Sequence, residues 1–266
     1  MRITRDAGWI LKNLREGKWA EVARVATGLG GEVASIAGSI ALYPLVFAGK
    51  DLPTPVTTLD APKPKAASKD DADRPVVLVH GWFHNRTGFL VMKRRLKALG
   101  RKHVYAVDLP TGRMGVQRLA AILADKIDHI RAITGATHVD VVAHSLGGLV
   151  ARWWMHHAGG SGSVKHLVTL GSPNQGTALA AFVPLGSGRA INPGSWTLAA
   201  LALPPPAGVK VTVIWSEMDY LILPVEKADW HAKEGQVRMK YVGHLSLLFS
   251  RDVFREVWRA LGGGDT

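Results

Sequence analysis

One twelve-residue stretch constrains this chain more than any other: Val139-Asp140-Val141-Val142-Ala143-His144-Ser145-Leu146-Gly147-Gly148-Leu149-Val150. An apolar, β-branched run leads straight into a serine, and two glycines and a helical pattern follow. A serine in that setting sits on a strained turn, its hydroxyl raised above the carboxyl end of a strand. Such a turn leaves space only for small residues two positions before and two after, and Ala143 and Gly147 occupy those places. The first of them is more often glycine, so Ala143 departs by a single methyl group. The helix that opens after Ser145 adds free backbone N–H groups and a partial positive charge.

The surrounding pattern repeats the strand-then-helix alternation. Strands are predicted at Val76–His80, His103–Val107, Val139–Ala143, His166–Leu170, Val211–Trp215 and Val237–Val242. Helices are predicted at Thr87–Ala98, Met114–Ile133, Leu146–Ala158 and Arg251–Leu261. Several strands are apolar on both faces, as in VVLVH and VDVVA, which points to a mostly parallel sheet with helices on both sides. The 266 residues suit one large domain with an appendage, and the 47% hydrophobic content can fill its core. The absence of cysteine excludes a thiol nucleophile, thiolate metal sites and disulfides.

The first 74 residues differ from this pattern. Residues 8–24 mix Trp9, Ile10, Leu11, Leu14 and Trp19 with charges, as an amphipathic helix does. Val33–Gly49 is then a 17-residue run without charge, preceded by Glu32 and glycines at 28, 30 and 31. That length is at the lower limit for a spanning helix, so the run is read as a membrane segment or as a helix packed on the body. Residues 1–50 are therefore expected to be a helical, membrane-associated segment and 51–74 a Pro-, Ala- and Lys-rich linker. Residues 75–263 form the main domain. Six Lys and Arg precede the run and five follow it within residues 50–74, a weak bias that places the body periplasmic or extracellular, with the cytoplasm as the alternative.

At the end of the first body strand, Val79-His80-Gly81-Trp82-Phe83-His84 can turn so that the Trp82 amide faces the space above Ser145. With the Leu146 amide it makes two donors for an oxyanion. A serine hydroxyl needs a base, itself oriented by a carboxylate. Of eleven histidines, His244 follows the last strand in Gly243-His244-Leu245-Ser246, at the sheet's carboxyl edge. Asp219 and Glu217 both lie in the loop after Val211–Trp215, and Asp219 is preferred, with the chain order Ser, Asp, His. His144 adjoins the serine but is not placed to act as base. Together with His80, Gly81, Phe83 and His84 it is expected on the substrate side.

The HGW turn, the AHSLGGLVAR turn, Leu170–Thr177 (LGSPNQGT), the SEMDYLILP loop and GHLSLL together resemble bacterial lipases and esterases of the α/β-hydrolase superfamily. The resemblance covers about Pro75 to Leu261. It implies an α/β-hydrolase fold, Ser145 as nucleophile, Asp219 and His244 as its partners, and Trp82 and Leu146 as amide donors. Many secreted members hold calcium through an aspartate shortly after the histidine. Apolar residues and Ser246 occupy that stretch here, so no metal or cofactor is expected. The implied substrate is a carboxylic ester, a lipid among the candidates. Acyl transfer, thioester or amide cleavage, or a silent membrane-tethered binding protein, are the alternatives.

Residues 177–208 carry one charge, Arg189, and read as an apolar cap or lid beside the serine. Lys93, Arg94, Arg95, Lys97, Arg101 and Lys102 contribute to the net charge of +12 and read as a solvated face. No aromatic-interleaved nucleic-acid module accompanies them.

Overall fold

The structure is a computed structural model that describes residues 12, 16, 18–42, 73–182, 186–230 and 235–264. Most of the stretch before Trp19, the apolar run beyond Leu42, linker residues 51–72 and His231 lie outside the described residues.

Six strands form one parallel sheet: β1 (Val76–Val79), β2 (Val104–Val107), β3 (Val139–His144), β4 (Val164–Leu170), β5 (Lys210–Ser216) and β6 (Gln236–Met239). Their order across the sheet is β2-β1-β3-β4-β5-β6, so β3 and β4 are central and β1 lies beside β3. The two-residue period divides β1 to β5 between two cores, while the edge strand β6 packs Val237 and Met239 on one of them. Val77, Val79, Val141 and Ala143 pack with α3 (Val116–Thr134) and α4 (Leu146–His157) on one face. Val76, Leu78 and Val142 pack with α2 (Leu90–Ala98) and α6 (Arg251–Ala260) on the other. Strands buried on both faces require this double cover, which is why the runs read as continuously apolar. The short helix α5 (Trp196–Ala200) lies within residues 177–208.

The N-terminal helix α1 spans Trp19–Leu42. It begins inside the stretch read as amphipathic and continues into the apolar run, and the glycines at 28, 30 and 31 do not interrupt it. Its buried positions, Val25, Gly28, Glu32 and Ser35, follow helical spacing along one face. Among the described residues, no helix is long and apolar enough to cross a membrane.

Two sequence expectations change. The linker does not extend to residue 74: Arg74 is buried, its Nε 2.7 Å from the Asp140 Oδ1. The basic run is not wholly a solvated face. Arg95 donates to the carbonyls of Phe249 and Ser250 at 3.0 and 3.1 Å, and Arg101 is buried and donates to the Leu261 carbonyl. Long guanidinium stems bridge elements in a way that a charge count does not reveal.

Asp140 is the second residue of β3, at the end of the sheet away from Ser145. It is fully buried, with Arg74, His166 (3.0 Å) and Arg101 (3.6 Å) around it. Asp140→Ala would leave two guanidinium groups without their buried partner. It is expected to reduce unfolding stability by roughly 3–5 kcal/mol. Urea unfolding of the variant measures this, and a loss below about 1 kcal/mol would contradict the assignment of this network as a buried fastening.

Candidate active site

Ser145 stands between β3 and α4 with φ 53° and ψ −126°, a conformation that costs a non-glycine residue on the order of 1–3 kcal/mol. Neighbouring contacts hold it there. Its N–H donates to the Leu170 carbonyl at 2.9 Å, and its own carbonyl accepts from the Gly148 N–H at 3.0 Å. Gly147 fits only without a side chain, because a Cβ there would lie 2.5 Å from the Val79 carbonyl oxygen. The first turn of α4 is thus pressed against the end of β1, the strand that leads to Trp82. The Leu146 N–H is in that first turn, where helix geometry supplies no acceptor.

The loops after β5 and β6 bring Asp219 and His244 to the same edge. His244 Nδ1 donates to Asp219 Oδ2 at 2.7 Å, and both side chains are buried. The other Asp219 oxygen accepts from the Leu221 and Ile222 N–H groups at 2.8 and 3.0 Å, so the carboxylate is fixed on both sides. Gly171, at φ 53°, permits the pair to close over β4, since a Cβ there would lie 3.0 Å from Asp219 Oδ2. Glu217, the other acid considered, pairs instead with Arg238 at 3.0 Å. Ser216 ties the two loops together by donating to the Val242 carbonyl.

Burial is the largest influence on His244 and by itself would lower its pKa. The Asp219 charge, the Asp219 hydrogen bond and the Glu32 charge outweigh it, and the net direction is upward. His144 behaves oppositely. Burial first, then the neighbouring His244 and His84, push it well below the ordinary histidine value, so it stays neutral. Its Nε2 donates to the His244 backbone carbonyl at 3.1 Å, and the two rings are 4.6 Å apart.

Ser145 and His244 line one cavity of about 330 Å³. Trp82, Leu146, Pro173, Leu179, Ile191, Leu221, Ile222 and Leu245 give it largely apolar walls, and His84, His144 and Thr177 add polar atoms. The residues predicted for the substrate side divide. His84 and His144 line the cavity, whereas His80, Gly81 and Phe83 do not. His80 is buried beneath the loop, where its Nδ1 donates to the Gly81 carbonyl and its Nε2 accepts from the Leu109 N–H. Burial lowers its pKa to about 4, so it holds the loop as a neutral ring. Gly81 packs beneath Ser145, and Phe83 projects outward, 67% exposed, at φ 48°.

The cap also divides. Thr177, Leu179 and Ile191 face the cavity, while Leu198 and Leu201 join the core under α4. Arg152 of α4 secures the base of this region, donating to Asn174 Oδ1 at 2.9 Å and to the Leu201 carbonyl. Sequence reading missed Glu32, whose carboxylate reaches the Leu245 and Ser246 N–H groups. The signal present was a single acid ahead of an apolar run, on a buried helix face.

These environments predict distinct titrations by long-range 15N–1H correlation of the imidazoles. His244 is expected to titrate above the ordinary value of 6.5, His80 near 4, and His144 to remain neutral well below 6.5. A His244 midpoint below 6.5 would contradict the Asp219 pairing.

Solved structures with this architecture include Aspergillus fumigatus lipase B, at TM-score 0.60 and 17% identity over 76% of this chain and 56% of that one. The mature form of Bacillus licheniformis lipase BlEst2 matches at TM-score 0.60 and 17% identity, over 74% of this chain and 95% of that one. These likenesses establish the α/β-hydrolase fold. In sequence, the chain is 32% identical to a triacylglycerol lipase of Burkholderia plantarii over 164 residues. That match covers 56% of this chain and 42% of the relative, so the chain spans less than half the length of the curated protein it resembles. A family model described as a domain of unknown function (DUF7379) matches residues 51–216, which include Trp82, Ser145 and Leu146 and end before Asp219. With more than half of its length matched, this α/β-hydrolase-fold chain belongs to the DUF7379 family.

Proposed function

We propose that the chain is a serine hydrolase that cleaves carboxylic esters with apolar acyl groups through an acyl-enzyme. The observation that carries this reading is the buried His244–Asp219 hydrogen bond beside a strained serine on the same cavity. His244 Nδ1 holds its proton toward Asp219, which leaves Nε2 as the basic nitrogen. In the first half-reaction Nε2 takes the Ser145 proton while Oγ attacks the ester carbonyl. The Trp82 and Leu146 amides receive the oxyanion, and the protonated His244 then delivers its proton to the leaving alcohol. Water repeats these steps on the acyl-enzyme, so the acid is released and Ser145 recovers its proton. The lipase relative supports ester chemistry, and the largely apolar cavity supports an acyl chain over a charged substrate.

The nucleophile and base are tested with p-nitrophenyl esters. Ser145→Ala and His244→Ala are each expected to lower kcat at least about a thousandfold with the fold retained. Turnover within about tenfold of the wild type in either folded variant would refute the reading.

The acyl pocket is tested along a series of chain lengths. Leu179→Asp or Ile191→Asp places a carboxylate in the cavity wall. Each is expected to reduce kcat/KM for octanoate esters at least about tenfold more than for acetate esters. An equal loss at every chain length would remove this wall from the acyl site.

A further inference from the structure

Glu32 is the least expected acid in the molecule. It lies on the buried face of α1, yet its nearest partners are 213 and 214 residues away in the chain. Its Oε1 accepts from the Leu245 N–H at 2.9 Å. Its Oε2 accepts from the Ser246 N–H at 2.9 Å and from the Ser246 hydroxyl at 2.8 Å. Ser35, one helical turn on, approaches the same Ser246 hydroxyl at 3.1 Å. The carboxylate also fills the space above Gly243, where a Cβ would lie 2.2 Å from Oε2.

Leu245 and Ser246 begin the short 3-10 turn Leu245–Leu248, whose N-cap is His244. A histidine N-cap with no capping bond of its own leaves the first N–H groups of that turn without a local acceptor. Glu32 supplies the acceptor from another part of the chain. From the opposite side, His144 donates to the His244 carbonyl. The peptide unit that follows the His244 side chain is therefore held at both of its polar ends, its carbonyl by His144 and its N–H by Glu32, and neither fastening uses the His244 imidazole.

We propose that Glu32 is a positioning residue: by clamping Leu245 and Ser246 from the N-terminal helix, it sets the His244 ring between Asp219 and Ser145. The inference rests on the proposed roles of Ser145 and His244. It makes α1 part of the active-site scaffold. A misplaced base lowers the rate of proton transfer without weakening substrate binding, because Glu32 lies outside the cavity that would hold the ester. The carboxylate also adds charge. The ionisable groups that act on His244 are the carboxylates of Asp219 and Glu32, with the His144 and His84 rings nearby. The two histidines are held neutral, first by burial, so the two carboxylates set the local field.

The experiment compares wild type, Glu32→Gln, Glu32→Asp and Ser145→Ala with one p-nitrophenyl ester across pH. Glu32→Gln removes the charge and turns an amide toward N–H donors. It is expected to lower kcat about tenfold with KM within about twofold, and to move the acid limb of kcat/KM about half a pH unit downward. Glu32→Asp keeps the charge one methylene short, so the limb should return toward wild type while kcat stays several-fold low. A purely structural role would lower the melting temperature and leave the limb in place. Wild-type kcat and an unmoved limb in folded Glu32→Gln would overturn the proposal. If Glu32→Gln does not fold, wild-type kcat in Glu32→Asp would overturn it. Full activity in Ser145→Ala would instead defeat the serine-hydrolase reading itself, which separates the two failures.

Discussion

A serine held at φ 53° is strained, and the turn at Ser145 persists because its surroundings permit no alternative. β3 delivers the chain to the carboxyl edge of the sheet, and α4 must start immediately and pack across β1 and β4. Gly147 allows the helix to press on the end of β1, and the Leu170 carbonyl holds the Ser145 N–H. Placement of the Ser145 hydroxyl at the cavity is thus a consequence of β3 and its two neighbours, β1 and β4. The rest of the site must come to it. The loops after β1, β5 and β6 all arrive at the same edge because every strand is parallel.

Electrostatics then divides labour among buried histidines of similar accessibility. His80, His144 and His244 are all nearly inaccessible to water, and burial opposes charge on each of them. Of these three, only His244 has a carboxylate on its Nδ1, and only there does the balance favour the proton. The other two remain neutral hydrogen-bonding rings: one fastens the loop that carries Trp82, the other fastens the backbone of His244. A cluster of titratable groups thereby keeps a single centre of high proton affinity next to the serine.

The sheet, the turn and the Ser145, Asp219 and His244 positions were legible because each rests on a local pattern. Continuous β-branched runs announce doubly covered strands, and loop position at a strand's carboxyl end narrowed eleven histidines to one. What sequence concealed depends on contacts far apart in the chain. Glu32 looked like an interruption in an apolar run, because its partners lie 213 and 214 residues away. His80 and Phe83 sit in the right loop, but one points beneath it and the other away from the cavity, and the chain between them turns to a positive φ at Phe83. Arg95 and Arg101 read as surface charge because composition does not record where a long side chain ends. The cap posed a similar difficulty: apolar residues such as Leu179 and Leu198 are equivalent in composition, and only packing sends one to the cavity and the other to the core.

The central claim is that Ser145 is a nucleophile activated by His244. Covalent capture tests it without assuming any substrate. The wild-type protein is incubated with a fluorophosphonate, digested, and the phosphonylated peptide is sequenced by mass spectrometry. The account predicts stoichiometric modification at Ser145. An unmodified protein, or an adduct on any other serine with Ser145 untouched, would contradict it.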